Sequence, residues 1–581
     1  MIGTATVARM RGNGASRTWG SLPAAGLLLL LTYLVVVPLI LLLVASFKPT
    51  GLPLDPGWTL KSYADVYGDK SFYALVVTTF KFAAGCTLGA LIVGGTLAWL
   101  VERTDLPWKM AARVMIVLPM VLPPFLLAMG WALLASPRTG FFTLLLKDLL
   151  SLSDPPLNIY SVGGMIFVET LALVPSTFLI LSPAFRNMDP SLEEAAMTCG
   201  AGLGALLRRI FIPLLAPALL AATAYLLMVG FLVFDVPGTL GMPVGIFVLS
   251  SRIVYLASDQ SGGISAYQLI SAMAMTFLAL LLVLAWIYRR ATRRSGRYVT
   301  VTGKGFRPRL LSLGRLRAPA IALVLAYFFL SVVAPLAILG WNSLMPYQAP
   351  VSMEMLHKAT LSNHVEAFGN ARILHATWNS IWVSALSATI VCAIAVMCSW
   401  IYLRTRQTGR QLIDVLAFLP LAIPGTMIGM ALIYVYLTLR FIPIYGTAWI
   451  LVVAYVTVYL SFASRTTNGV LIQLHPELEE AARLSGASTL VTLRRIVVPL
   501  ILPALLGAWI WVVAHVMREL STALLLQGED NAMMAVLLWS YWSGGQPNKA
   551  AAMGVWLIAM MTVTTIAWQW MAARGSRMAG R

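Results

Sequence analysis

The sequence predicts an all-α fold: a polytopic helical membrane protein with twelve transmembrane helices in two parallel six-helix repeats. Three observations lead there. Of 581 residues, 59% are hydrophobic and only 11% charged, and mean hydropathy is +0.83; so few charges could not cover a soluble protein of this size. Apolar runs recur along the chain, each long enough to cross a hydrocarbon core of ~30 Å at ~1.5 Å per residue. A polar stretch in the first half also returns in the second half without a gap.

The spans fall at about 22–47, 74–101, 111–135, 160–185, 211–235 and 267–288, then 318–343, 376–402, 412–438, 447–464, 499–526 and 550–572. Backbone groups in lipid must pair within their own segment, so these are helices rather than open strands. The first run is too long for a signal-peptide core and is expected to remain as a span. Two short echoes accompany the repeat. Leu118-Pro-Met-Val-Leu-Pro123 parallels Leu419-Pro-Leu-Ala-Ile-Pro424, and Thr78-Thr79 parallels Asn379-Ser380, both 301 residues apart.

Lys and Arg set the orientation. With the N-terminus inside, cytoplasmic segments hold 29 of them and outer loops 10, while Lys81 and Arg518 lie within spans. Both termini are then cytoplasmic. The net charge of +19 faces an anionic leaflet rather than nucleic acid. Segment 289–317 carries ten basic residues and no acid. It divides a first half, 1–288, from a second, 318–581. Six spans per half is an even number, so the halves share one orientation and form a parallel repeat. The four cysteines, Cys86, Cys199, Cys392 and Cys398, lack metal-ligand spacing, and neither disulfides nor a metal site is expected. The methionines are spread through apolar runs and read as packing residues.

The returning stretch is Asp189-Pro-Ser-Leu-Glu-Glu-Ala-Ala-Met-Thr-Cys-Gly200, continuing to Leu207-Arg-Arg-Ile-Phe-Ile-Pro213. Its second copy is His475-Pro-Glu-Leu-Glu-Glu-Ala-Ala-Arg-Leu-Ser-Gly486, continuing to Leu493-Arg-Arg-Ile-Val-Val-Pro499; every match is 286 residues apart. Each reads as a short helix, a glycine turn and a second helix beside the membrane. Pro190 and Pro476 suit the first helical position, where no N–H is needed. Asp189 is a good N-cap and His475 a poorer one. Gly200 and Gly486 suit the turn that ends the helix.

Glu194-Ala-Ala-x-x-x-Gly200 with Ile210-x-x-Pro213, and Glu480-Ala-Ala-x-x-x-Gly486 with Ile496-x-x-Pro499, resemble the EAA motif of permease subunits of bacterial ABC importers. The resemblance extends over both halves. It implies that each loop is a coupling helix that docks into a cytoplasmic ATPase subunit. Docking would then fall to Glu193, Glu194, Ala195, Ala196 and Gly200, and to Glu479, Glu480, Ala481, Ala482 and Gly486. Two loops on one chain imply two copies of the ATPase. Gly303-Lys304-Gly305 lacks the other residues of a phosphate-binding loop, so no catalytic residue is expected. The chain should bind no cofactor, with ATP and Mg on the partner. A periplasmic solute-binding protein would deliver the solute to the outer face of the bacterial inner membrane. The first span of each half is expected to be peripheral, since the motif's core needs only the spans around the loop. The fused arrangement and Val101-Glu-Arg-Thr-Asp-Leu-Pro107 look like the ferric-iron permeases. Thiamine, polyamine and aminoethylphosphonate permeases are close relatives of those. A secondary transporter driven by an ion gradient is the competing class.

Ionisable groups inside spans are costly, which makes them candidates for a translocation path. These are Glu169, Asp235, His515, Arg518 and Glu519. Arg518 and Glu519 are adjacent and must point about 100° apart on a helix, toward different partners. Two roles are open: a polar path between the halves, or braces for the bundle. Phe234-Asp-Val-Pro-Gly-Thr-Leu-Gly-Met-Pro243 is expected at the outer mouth, as part of an outer gate or as a simple turn.

Overall fold

A computed structural model of the chain describes residues 15–188, 196, 198–200, 202–258, 265–295, 310–439, 441–528 and 530–579. The described residues are almost entirely helical. Among the described residues nine helices are long and apolar enough to cross a membrane, and three bent pairs raise that number to as many as twelve.

The first half runs α1 (Pro23–Ser46), α2 (Lys70–Arg103), α3 and α4 (Lys109–Val121, Pro124–Ala135), α5 (Val162–Arg186), α6 (Arg208–Leu232), α7 and α8 (Pro237–Val244, Leu249–Ser258) and α9 (Ser265–Ser295). The second repeats the order: α10 (Gly314–Leu344), α11 (Ala371–Arg404), α12 and α13 (Arg410–Ala422, Gly425–Thr438), α14 (Ala448–Gln473), α15 (Glu477–Leu484), α16 (Thr489–Met517), α17 (Ser521–Leu526), α18 (Met534–Ser543) and α19 (Pro547–Ala579).

Several expected spans differ from straight helices. Residues 111–135 and 412–438 are bent, by 95° at α3/α4 and by 112° at α12/α13. Pro123 and Pro424 stand at the breaks in extended backbone, where a proline lacks the donor that would continue the ladder. The expected span 499–526 also divides, with α16 ending at Met517 and α17 starting at Ser521. Pair α7/α8, bent by 68°, was not expected. With both repeated loops and the linker on one side, α7/α8 must return to the outer face before α9 crosses. Part of the expected linker is helical, because α9 continues to Ser295. Further along, Leu311 pairs with the backbone of Arg103 and Asp105 (2.8 and 3.0 Å), and Asp105 Oδ1 accepts from Leu313 N at 2.8 Å. The second half therefore begins tied to the first.

Proline also explains the short π turns. Those at Thr32–Val36, Leu207–Phe211, Phe329–Val333 and Leu493–Val497 each end two residues before a proline, namely Pro38, Pro213, Pro335 and Pro499. Widening the turn accommodates a residue that cannot donate and would crowd the preceding carbonyl.

The first span of each half is not peripheral. Helix α1 packs on α13 of the other half and α10 packs on α4. Tyr33 donates to Tyr436 at 2.9 Å, and Trp131 Nε1 donates to the Leu330 carbonyl at 3.2 Å. Gly130 permits the second crossing: a Cβ there would sit 2.7 Å from Cβ of Pro335 and 2.9 Å from its Cα. At Gly95 the same atom would meet only Leu181 Cδ1, at 3.6 Å, an ordinary contact. Gly130→Ala should therefore cost ~1–3 kcal/mol by overpacking and lower the thermal midpoint of the purified chain. Gly95→Ala should leave it in place. Equal midpoints for the two variants would mean that α10 shifts freely on α4.

Candidate coupling loops and the intramembrane charge cluster

The second polar copy is fully described. Helix α15 starts at Glu477, one residue later than expected, with Pro476 as its cap in helical backbone (φ −60°, ψ −24°). Its end is a Schellman turn: Gly486 N donates to Arg483 O and Ala487 N to Ala482 O, both at 3.0 Å. Gly486 has φ +80° and its counterpart Gly200 φ +79°, the left-handed region that favours glycine. A Cβ at either would meet nothing within 4 Å, so backbone conformation alone calls for glycine there. Glu480, Ala481 and Gly486 are exposed, and Leu484 is 91% exposed. Ala482 is buried.

Glu479, expected among the docking residues, faces the bundle rather than solvent. It is 4% exposed and its Oε1 lies 2.9 Å from Arg404 Nε. That N–H is not aimed at the oxygen, so the contact is an ion pair without an aligned hydrogen bond. In the first copy Ala196 is half-buried and Gly200 exposed, while Glu193, Glu194 and Ala195, with Asp189 and Pro190, lie outside the described residues.

The five intramembrane candidates meet between the halves. Arg518 follows α16, and its Nη1 donates to the Met120 and Leu122 carbonyls (2.6 and 3.3 Å). Those carbonyls belong to the α3/α4 break in the other half. Its Nη2 reaches His515 Nε2 at 2.7 Å. His515 Nδ1 contacts the Trp511 carbonyl at 2.8 Å, so a neutral ring protonated on Nδ1 satisfies both contacts. The ring stacks on Trp511, which stacks on Phe462, each with centroids 3.5 Å apart. Glu519 turns the other way. Its Oε1 accepts from Thr522 N and Oγ1 (2.8 and 3.0 Å) and its Oε2 from Ala523 N (3.2 Å), capping α17. Arg518 and Glu519 thus have different partners, as their adjacency requires.

Asp235 lies just beyond α6, within Coulombic range of Glu169, Arg518 and Glu519. Glu169, in α5, is 2% exposed. Glu169 Oε2 and Asp235 Oδ1 are buried without a hydrogen-bond partner. The tract after Asp235 is itself packed inside, with Pro237 to Gly241 buried. Above it a cavity of about 560 Å³ opens between the halves, lined among others by Tyr160, Thr239, Tyr255, Gln348, Trp539 and Trp542. Trp539 lines that cavity, and its ring lies 5.6 Å from that of Phe234, the residue before Asp235.

A family model described as "Binding-protein-dependent transport system inner membrane component" matches the chain twice, over residues 90–297 and 385–577. The chain belongs to this family. The ferric transport system permease protein FbpB of Actinobacillus pleuropneumoniae is 26% identical over 556 residues, covering 94% of this chain and 77% of the relative. The probable ABC transporter permease protein y4fN of Sinorhizobium fredii is 25% identical over 536 residues, covering 91% and 92%. The putative 2-aminoethylphosphonate transport system permease protein PhnV of Salmonella typhimurium is 24% identical over 260 residues, covering 42% of this chain and 91% of the relative.

Two features of the permease escaped sequence reasoning. One is a pair of hydroxyl clamps: Leu249 N donates to Thr79 Oγ1 (3.0 Å) and Met534 N to Ser380 Oγ (2.8 Å). Each serves the start of a helix that follows a break, α8 or α18. The 301-residue echo had marked Thr79 and Ser380, but not their partners. The other is the pair Arg103 and Arg404, also 301 residues apart. Arg103 Nη1 reaches the Phe185 and Met188 carbonyls (3.5 and 3.3 Å), and Arg404 Nη2 reaches those of Leu471 and Leu474 (2.8 and 2.5 Å).

Replacing Arg518 by leucine would strand the Met120 and Leu122 carbonyls. Each buried acceptor left without a donor costs ~1–3 kcal/mol, so the thermal midpoint in detergent should fall clearly below that of the parent permease. Arg518→Lys keeps the charge but not the fork, and should fall between. A midpoint unchanged in Arg518→Leu would show that water serves those carbonyls.

Proposed function

We propose that this permease carries ferric iron across the bacterial inner membrane, with both termini cytoplasmic, using ATP hydrolysed by two copies of a separate ATPase subunit. A periplasmic solute-binding protein delivers the iron. The chain itself binds no cofactor; ATP and Mg belong to the partner. The observation that carries the ATPase reading is the outward face of α15. It holds Glu480, Ala481 and a 91% exposed Leu484, beyond the end of α14 and clear of the hydrocarbon. An apolar side chain so exposed beside a carboxylate suits a protein groove better than water. Relatives named for ferric transport match along most of this chain, both halves included, which supports iron.

The route begins in the outer cavity, passes Phe234 and Trp539, and continues by Asp235 and Glu169. Their hard carboxylate oxygens suit a hard cation in transit. Arg518 and Glu519 are engaged with backbone groups and serve mainly as braces beside that route. His515 orients Arg518.

Radioactive iron uptake into vesicles holding the permease, the ATPase and loaded binding protein tests the reading. Uptake should require ATP inside and persist when the proton gradient is collapsed. Uptake that needs the gradient and ignores ATP would establish a secondary transporter instead. Glu194→Ala with Glu480→Ala should leave the chain in the membrane but weaken ATPase co-purification about tenfold or more, the loss expected when one partner of an interfacial charge pair is removed. Unaltered co-purification would reduce these carboxylates to helix-end electrostatics, an effect of ~0.3–1 kcal/mol.

A further inference from the structure

Helix α15 is joined through the backbone to α14 and α16, and it packs on the start of α16. A side-chain contact ties it to α11: the 2.9 Å ion pair of Glu479 with Arg404. Arg404 is the last residue of α11. It is a junction of three elements, since its Nη2 also holds the Leu471 and Leu474 carbonyls at the end of α14. Both members of the pair are shielded, with side chains 12% and 5% exposed, so solvent and salt weaken it little. The carbonyl clamp recurs at Arg103 in the other half, which marks this junction as part of the repeat's design.

We propose that Glu479 and Arg404 are positioning residues that pass displacement of α15 into α11, so that the membrane helices turn with the loop rather than the loop bending alone. This rests on the ATPase reading above. Glu480 meets the partner from the exposed side, and Glu479, one residue earlier, holds the same helix to the bundle. Movement of α15 reaches α14 and α16 along the chain. It reaches α11 through this pair and through the Arg404 clamp on α14.

The test uses the full complex in vesicles, measuring ATP hydrolysis and iron uptake together. Glu479→Gln should keep the ATPase bound and hydrolysis running, while iron moved per ATP falls about fivefold or more. Glu479→Asp, which keeps the charge, should restore most of that ratio. Glu479→Lys should lower it further. A ratio unchanged in Glu479→Gln would overturn the proposal. So would loss of bound ATPase in step with the loss of uptake, since Glu479 would then be a docking residue. Should Glu479→Lys fail to insert, the glutamine variant decides. A parent complex that takes up iron without ATP would instead defeat the reading on which the proposal rests.

Discussion

Any backbone group that leaves a helix inside the hydrocarbon must find a partner there, and this fold leaves its helices several times. The chain breaks between α3 and α4, between α12 and α13, and after α6 and α16. Arg518 serves two carbonyls of the first of these breaks. Glu519 serves two amides that open α17. Thr79 and Ser380 each serve one amide where a helix restarts. Charged and hydroxyl side chains in the membrane are thus required by the breaks before any question of transport arises. Glu169 and Asp235 each keep one buried carboxylate oxygen without a hydrogen-bond partner, so those oxygens are not spent on a break.

The two halves preserve what breaks and turns demand and differ where they face each other. Gly200 and Gly486 share a left-handed turn, and Trp108 and Gly409 share a left-handed N-cap, although one is the bulkiest residue and the other the smallest. The π turns before Pro213 and Pro499 coincide. At the meeting of the halves the register still holds but the chemistry does not. Glu169 corresponds to Tyr455, and Leu232 to Arg518, at the 286-residue offset. The ion-paired braces also diverge. Glu102 gathers Arg113 and Arg186 in one half (2.9 and 3.2 Å), while Asp414, at the position of Arg113, pairs with Arg465 in the other (3.1 Å). Duplication supplied the scaffold, and the polar interior was then built unequally.

Much of this was legible in the sequence for a physical reason. Hydropathy reports the solvent a segment must meet, so the existence of most spans was legible, although α14 runs nine residues past the expected 447–464. Gly200 and Gly486 were legible because only the left-handed turn needs glycine there. The bends were less so: Pro123 and Pro424 were visible, but a proline in a span can kink a helix slightly or end it, and neighbours decide which. The inward turn of Glu479 was hidden because its partner, Arg404, lies 75 residues earlier. Two adjacent glutamates on a short helix look alike in sequence, although only one can face out. The crossing of α1 and α10 to the opposite halves was hidden for the same reason, since an apolar stripe does not say which apolar stripe it meets.

That crossing limits how the permease can move. If each half were a closed bundle, the two could part by sliding and only the linker would hold them. Here α1 lies on α13 and α10 on α4, fixed by Tyr33 with Tyr436 and by Trp131 with the Leu330 carbonyl. Gly130 against Pro335 leaves no space for slippage at the second contact. Separation would expose both crossings at once, whereas a small rotation about them keeps both packed. Rotation also suits the polar residues, because a small turn need not part Arg518 from the Met120 and Leu122 carbonyls that it holds across the interface. The linker has little left to restrain, since Leu311 and Leu313 already tie the start of the second half to the backbone of Arg103 and Asp105 and to the Asp105 carboxylate.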